Sequence, residues 1–237
     1  MSRPLFALRL LRARATFFFK REFKTSLETP DKFVIESTEE LVSYWSLFIE
    51  RECGTKEWKE ALAQEPQPVV LDVGANAGLF SHLIWNLRRE AEIIIFEPLP
   101  KMAGKIANWG KRTGAKIALH NKAVSDHCGT ATFYASAEND PTASLKPEGA
   151  KSLKLDVPIV TLDSIIPERP IFLVKIDVEG CECEVLAGGK GTINRARFLI
   201  IEAHTKEALA KIQRHLGDGW YGKKVGASDY FFTRESN

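Results

Sequence analysis

The chain has 237 residues, 44% hydrophobic and 27% charged, enough to bury one α/β core and leave a short appendage. Its 33 basic and 31 acidic residues nearly cancel, to a net charge of +2. Such a balance supplies no global field for gripping a polyanion, so nucleic acid is disfavoured as a partner. The four cysteines, Cys53, Cys128, Cys181 and Cys183, lack a repeated CxxC spacing. That argues against a disulfide framework or zinc knuckle and for reduced thiols in a cytoplasmic protein.

The first 24 residues carry Arg3, Arg9, Arg12, Arg14, Lys20, Arg21 and Lys24 against Glu22 alone. Leu5, Leu8 and Leu11, with Phe6, Leu10 and Phe17, fall near helical spacing, but the arginines interrupt any apolar run long enough to cross a bilayer. Three readings stay open: a helix packed on the domain with solvated arginines, a peripheral contact with an anionic membrane, and an Arg-rich organelle-targeting start. Apolar residues continue at three- and four-residue steps through Leu41, Tyr44, Trp45, Phe48 and Ile49, so residues 1–65 read as an N-terminal helical, basic segment. QEPQP then marks a linker to a domain over 66–237.

From Val69, β-rich runs alternate with helical patterns: VVLDVG, GLFSHLIWNLRREAE, IIIFEP, LPKMAGKIANWGKR, KIALHNKAV. The alternation continues through IFLVKID, a short helix around CECEVLAGG, FLIIEAH, a helix from Lys206 to about Leu216, KKVG and DYFFTR. This predicts a Rossmann-like α/β fold with a seven-stranded, mostly parallel sheet and helices on both faces. Between its halves, Gly129 to Ile166 reads as a β insertion with a loop from Asn139 to Pro147.

Two features point to a nucleoside cofactor. In VVLDVGANAGLF, a buried strand ends near Asp72, and Gly74 and Gly78 frame a turn that leads into a helix, as a ligand pressed against backbone requires. The glycines stand four apart, which differs from the GxGxxG of nicotinamide enzymes and suits S-adenosylmethionine better. Glu97, nineteen residues beyond Gly78, ends the second strand, where a carboxylate can accept hydrogen bonds from both ribose hydroxyls.

In order along the chain, DVGANAGLFS, FEPLP, NKAVSD, TLDSI, KIDVEGCECEVLAGG and IIEAH resemble the successive motifs of FkbM-type methyltransferases, from Val69 to His204. The chain departs from that pattern at Cys181 and in the doubled Gly188 and Gly189. The resemblance implies a class I S-adenosylmethionine-dependent fold and methyl transfer to oxygen, often on a sugar. It also implies that Asp72, Gly74, Asn76 and Gly78 border the methionine part of the cofactor, that Glu97 holds the ribose, and that Ala123 and Asp126 flank the adenine.

KIDVEG lies at the carboxyl end of a central strand, where open α/β sheets form their binding crevice, so Asp177 and Glu179 face the reaction zone. An alcohol acceptor must lose its proton, and the groups that can take it are Asp177, Glu179, Glu202 and His204. Histidine titrates near neutrality, which suits general-base work; Asp177 is favoured because its strand end also borders the cofactor. Alternatively, Asp177, Glu179 and Glu202 could gather Mg²⁺ to acidify substrate hydroxyls. Lys175 reads either as a cross-strand partner of Glu202 or, with Asp177, as part of a Lys-Asp-Lys-Glu set that no second lysine completes. DVEG stands where amino-group methyltransferases carry DPPY, so amine methylation is disfavoured.

The expected function is O-methylation of a hydroxyl on a sugar, glycan, glycolipid or glycosylated metabolite. The rivals are an RNA ribose 2′-O-methyltransferase that uses the basic N-terminal segment, and a non-catalytic cofactor-binding partner protein.

Overall fold

The structure, a computed structural model, describes residues 26–29, 32–45, 47–48, 56–135 and 153–234. The basic first 24 residues, Cys53 and the loop from Asn139 to Pro147 lie outside these. The first described elements are the strands β1 (Leu27–Glu28) and β2 (Val34–Ile35), which pair antiparallel. They are followed by helices over Thr38–Trp45 and Lys56–Gln64.

This corrects the helical reading of residues 1–65 across Leu27 to Ile35. Lys32 turns the chain with φ 70°, and the Thr29 hydroxyl accepts the Phe33 N–H at 2.9 Å. Phe33 and Ile35 are buried while Val34 between them is not, which is the two-residue alternation of a strand. These side chains, with Leu41, Trp58 and Leu62, join the same core cluster as Val70, Ile93 and Leu173 of the main sheet.

The remaining strands are β3 (Val69–Val73), β4 (Glu92–Phe96), β5 (Lys116–His120), β6 (Ala123–Val124), β7 (Gly129–Ala135), β8 (Leu153–Val160), β9 (Ile171–Ile176), β10 (Ala196–Glu202), β11 (Trp220–Lys224) and β12 (Asp229–Arg234). Seven form one sheet in the order β11-β12-β10-β9-β3-β4-β5. Strands β5, β4, β3, β9 and β10 are mutually parallel, and β12 runs antiparallel to both β10 and β11. The expected Rossmann-like sheet is therefore present, and the insertion forms a separate three-stranded sheet, β6-β8-β7.

Successive residues supply opposite faces of the sheet. Ile93 and Ile95 join the core under helices Leu79–Leu87 and Pro100–Thr113; Ile94 and Phe96 join the core under helices Glu182–Gly188 and Lys206–Leu216. Each aliphatic side chain so buried contributes about 1.5–3 kcal/mol. Because both faces are covered, β3 reads VVLDV as a continuous buried run. Its register with β9 sets Asp72 opposite Lys175, so a slip of one residue would leave a fully buried carboxyl away from its countercharge.

Candidate active site

From β3 the chain moves outward through β4 and β5, then returns to build β9 and β10 on the other side of β3. Loops that leave the carboxyl ends of β3 and β9 therefore diverge, and a crevice opens at this switch point. It holds about 560 Å³ of space, open solvent at its mouth included. Gly74, Asn76, Glu97, Ala123, Asp177 and Glu179 line it.

On the β3 side, geometry is set by backbone contact. Gly74 has φ +82°, and a Cβ placed on it would lie 1.8 Å from the Asp177 carbonyl oxygen. Only glycine allows the two strand ends to touch in this way. The Gly74 and Ala75 N–H groups donate to the Phe96 carbonyl at 3.0 and 3.2 Å, and Asn76 follows at φ 51°.

The Asn76 N–H donates to Glu97 Oε2 at 2.7 Å, and the Leu99 N–H donates to Oε1 at 2.8 Å. Each carboxylate oxygen keeps further acceptor capacity. Burial pushes the Glu97 carboxyl up to about 8, against the pull of these two N–H groups. A pair of hydroxyl donors would restore its charge, which is what a ribose diol offers.

Asp72 and Gly78 stand behind this surface and not on it. Asp72 is fully buried; its Oδ2 accepts from the Ser81 hydroxyl at 2.6 Å and the Ser81 N–H at 3.1 Å, tying the turn to the helix it enters. Gly78 is needed because a Cβ there would meet Ile106 at 2.9 Å with φ +82°. Asp126 is half exposed and pairs with His127 at 2.7 Å, away from the lining. Asp72 and Gly78 thus support the turn from behind, and Asp126 lies outside the lining residues.

The lining also includes Pro98, Leu99, Lys122, Phe133, Val178 and Cys181. Lys122 sits inside the NKAVSD motif and was within reach of motif reading. Phe133 belongs to the insertion, whose alternation does not reveal which face turns back on the main sheet.

On the β9 side, charge sets the geometry. The Lys175 ammonium donates to Asp177 Oδ2 at 2.6 Å. Burial opposes ionisation of Asp177, but Lys175 and a hydrogen bond with Glu202 hold it below the usual carboxylate range. Glu202, at the end of β10, is pushed up by burial and by the charge of Asp177; its Oε1 accepts from the Ser228 hydroxyl at 2.7 Å. His204 Nε2 lies 3.1 Å from Glu202 Oε2 and 3.7 Å from Glu179 Oε2. The four candidate groups for proton transfer thus gather in one place.

They do not gather as the expected magnesium set. Glu179, Glu202 and His204 offer ligand atoms within 4.8 Å of one another, with a histidine nitrogen where an Asp177 oxygen was expected. Asp177 accepts from Lys175 at 2.6 Å and burial pushes the Glu202 carboxyl up, so a hard octahedral cation would have to compete with an ammonium group for its oxygen ligands. The donor set does not fit Mg²⁺.

Residues 72–218 match the methyltransferase FkbM domain. The chain belongs to the FkbM methyltransferase family. Among relatives of this FkbM methyltransferase, the 2-O-methyltransferase NoeI of Sinorhizobium fredii is 32% identical over 166 residues, 62% of this chain and 68% of that protein. The hexuronic acid methyltransferase AglP of Haloferax volcanii is 27% identical over 178 residues, 73% of this chain and 70% of that protein. The AMB antimetabolite synthetase AmbE of Pseudomonas aeruginosa is 28% identical over a match spanning 62% of this chain and 9% of that protein.

An FkbM methyltransferase of this fold depends on S-adenosylmethionine, and the crevice residues fit that cofactor. Gly74 leaves room at the strand end, and Glu97 presents unfilled acceptors. No helix among the described residues is long and apolar enough to cross a membrane.

Proposed function

We propose that this FkbM methyltransferase methylates a hydroxyl of a sugar, in a glycan, glycolipid or glycosylated metabolite. The observation that carries the reading is the Asp177 carboxylate, which lines the cofactor crevice and accepts from the Lys175 ammonium at 2.6 Å. A carboxylate there accepts the proton that a neutral alcohol must lose. The names of NoeI and AglP, a 2-O-methyltransferase and a hexuronic acid methyltransferase, support oxygen as the methyl acceptor and a sugar as its carrier.

Glu97 would hold the ribose, Gly74 and Asn76 would border the methionine part, and Ala123 would meet the adenine. The cofactor supplies a methyl carbon activated by a sulfonium. Asp177 orients the acceptor hydroxyl and takes its proton, while Lys175 keeps that carboxylate ionised between turnovers. An RNA acceptor is disfavoured because the acidic side chains of Asp177 and Glu179 line the crevice, where they repel phosphates.

The test is incubation of the full chain with S-adenosylmethionine and separate panels of methyl glycosides, hexuronic acids and short RNAs, with products identified by NMR. A methyl ether on a sugar hydroxyl is expected, and Asp177→Asn should lower kcat by roughly 10²-fold or more. Methylation confined to RNA ribose would replace this reading. Cofactor binding without transfer to any acceptor would favour a non-catalytic partner protein.

A further inference from the structure

With the ribose at Glu97, the base lies one glycosidic bond further along the crevice, on the side away from the methionine. The lining beyond Glu97 has two sources. Pro98 and Leu99 follow β4, whereas Lys122, Ala123 and Phe133 belong to the exit of β5 and to the three-stranded insertion. We propose that the insertion is the clamp for the cofactor's base: Phe133 packs its ring on a face of the adenine, and the Lys122 ammonium donates a hydrogen bond to an adenine ring nitrogen. The inference rests on placing the ribose at Glu97 and is independent of the methyl acceptor.

The backbone fixes where Lys122 starts from. As β5 ends, the Lys122 N–H donates to the His120 carbonyl at 2.9 Å, and the Glu97 N–H donates to the same oxygen at 3.1 Å. Asn121 Nδ2 donates to the carbonyls of Glu97 and Pro98 at 2.8 and 2.9 Å. Together these bonds fasten the segment that carries Lys122 to the turn that carries the ribose carboxylate.

Lys122 is half-buried. Glu97, Asp177 and Glu179 line the same crevice, yet among the described residues the Lys122 ammonium has neither an ion pair nor a hydrogen bond. A positive charge partly withdrawn from water gains from any acceptor brought to it. Adenine offers ring nitrogens whose lone pairs lie in the plane of the base, where an ammonium with three donors can reach them edge-on.

Phe133 comes from the far strand of the insertion. In β8, Leu155 pairs with Phe133 and Ile159 pairs with Ala123. Ala123, Phe133, Val157 and Ile159 all join the core cluster shared with the main sheet, so one face of the insertion turns toward the domain. That face brings an aromatic ring to the crevice. Bases stack on such rings whatever their identity, so Phe133 supplies affinity while Lys122 supplies discrimination.

Calorimetry on the full chain tests both contacts. The ligands are S-adenosylhomocysteine, its monodeaza analogues, in each of which a CH replaces one ring nitrogen, and S-ribosylhomocysteine, which lacks the base and is measured by displacement. Lys122→Met is expected to weaken S-adenosylhomocysteine binding about tenfold. Wild type should bind one of the deaza analogues about tenfold more weakly than the parent, and Lys122→Met should bind those two equally. Phe133→Leu, which keeps an apolar side chain in the core, should weaken S-adenosylhomocysteine about fivefold or more and leave S-ribosylhomocysteine unchanged.

Unchanged S-adenosylhomocysteine affinity in either variant would overturn the clamp. So would a wild type indifferent to every deaza analogue, or a Phe133→Leu variant that loses both ligands equally, which is the mark of a purely structural side chain. Each of these results leaves the ribose at Glu97. Undiminished binding in Glu97→Gln would instead overturn the ribose placement, and the clamp with it.

Discussion

The two walls of the crevice are built on different principles. The β3–β4 wall relies on backbone contact and burial: Gly74 touches the Asp177 carbonyl, and Glu97 is clamped by the N–H groups of Asn76 and Leu99. The β9–β10 wall is an ionisable cluster in which Lys175 and Glu202 are largely covered while Asp177 and His204 reach solvent. A wall of fixed amides binds without reorganising, which suits holding a cofactor in one pose. A wall of titratable groups moves protons, which suits chemistry on a variable acceptor.

Damage to the first wall should therefore abolish binding, and damage to the second should spare binding and slow transfer. The largest effect is expected from Gly74→Ala. Its added methyl overlaps the Asp177 carbonyl at 1.8 Å, with φ at +82°. Overpacking and left-handed strain together cost about 3–4 kcal/mol, so calorimetry should find no cofactor binding and denaturation should find a less stable fold. A variant that binds normally would mean that the strand ends do not need to touch.

Next comes Glu97→Gln. Loss of a charged acceptor, and an amide NH₂ turned toward one of two fixed N–H donors, should weaken S-adenosylhomocysteine binding by about 1.5–3 kcal/mol, roughly 10- to 150-fold. The fold should survive, because an uncharged side chain is the cheaper one to bury there. Undiminished affinity would detach Glu97 from the ribose.

A smaller, graded effect concerns pH. The Glu97 carboxyl rises from 4.5 to about 8 on folding, and Glu202 shifts in the same direction. The folded chain therefore holds protons that the unfolded chain has lost, and stability falls as pH rises across this window. Denaturant midpoints of the ligand-free protein should drop between about pH 5 and pH 8. Saturating S-adenosylhomocysteine, whose hydroxyls favour the ionised Glu97, should flatten the drop, and Glu97→Gln should remove its share. The same slope in that variant would assign it to other groups.

The smallest expected effect is none: chelators should leave methyl transfer unchanged, because the cluster does not offer the oxygen set that Mg²⁺ demands. Loss of activity on chelation, restored by a divalent cation, would convert the second wall from a proton acceptor to a metal site.

By itself the sequence determined the parallel sheet, the glycine turn after β3, the carboxylate after β4 and the acidic strand ends, since each is written locally. Buried β-branched runs, glycines at strand ends and charges just beyond them follow from short-range sterics and hydration. The two-residue alternation of Phe33 and Ile35 was equally local, but the helical spacing of the residues on either side hid it.

Only the tertiary structure decided which of these residues share a surface. Asp72 and Gly78 lie in the most telling motif yet stand behind the crevice, because helix Leu79–Leu87 closes over them. His204 joins Glu179 and Glu202 because the chain just beyond β10 brings its ring beside both carboxylates, while Lys175 donates to Asp177 Oδ2. Phe133 reaches the lining from an insertion that folds back. These outcomes depend on distances between segments tens of residues apart, and those distances are set by how the whole sheet packs.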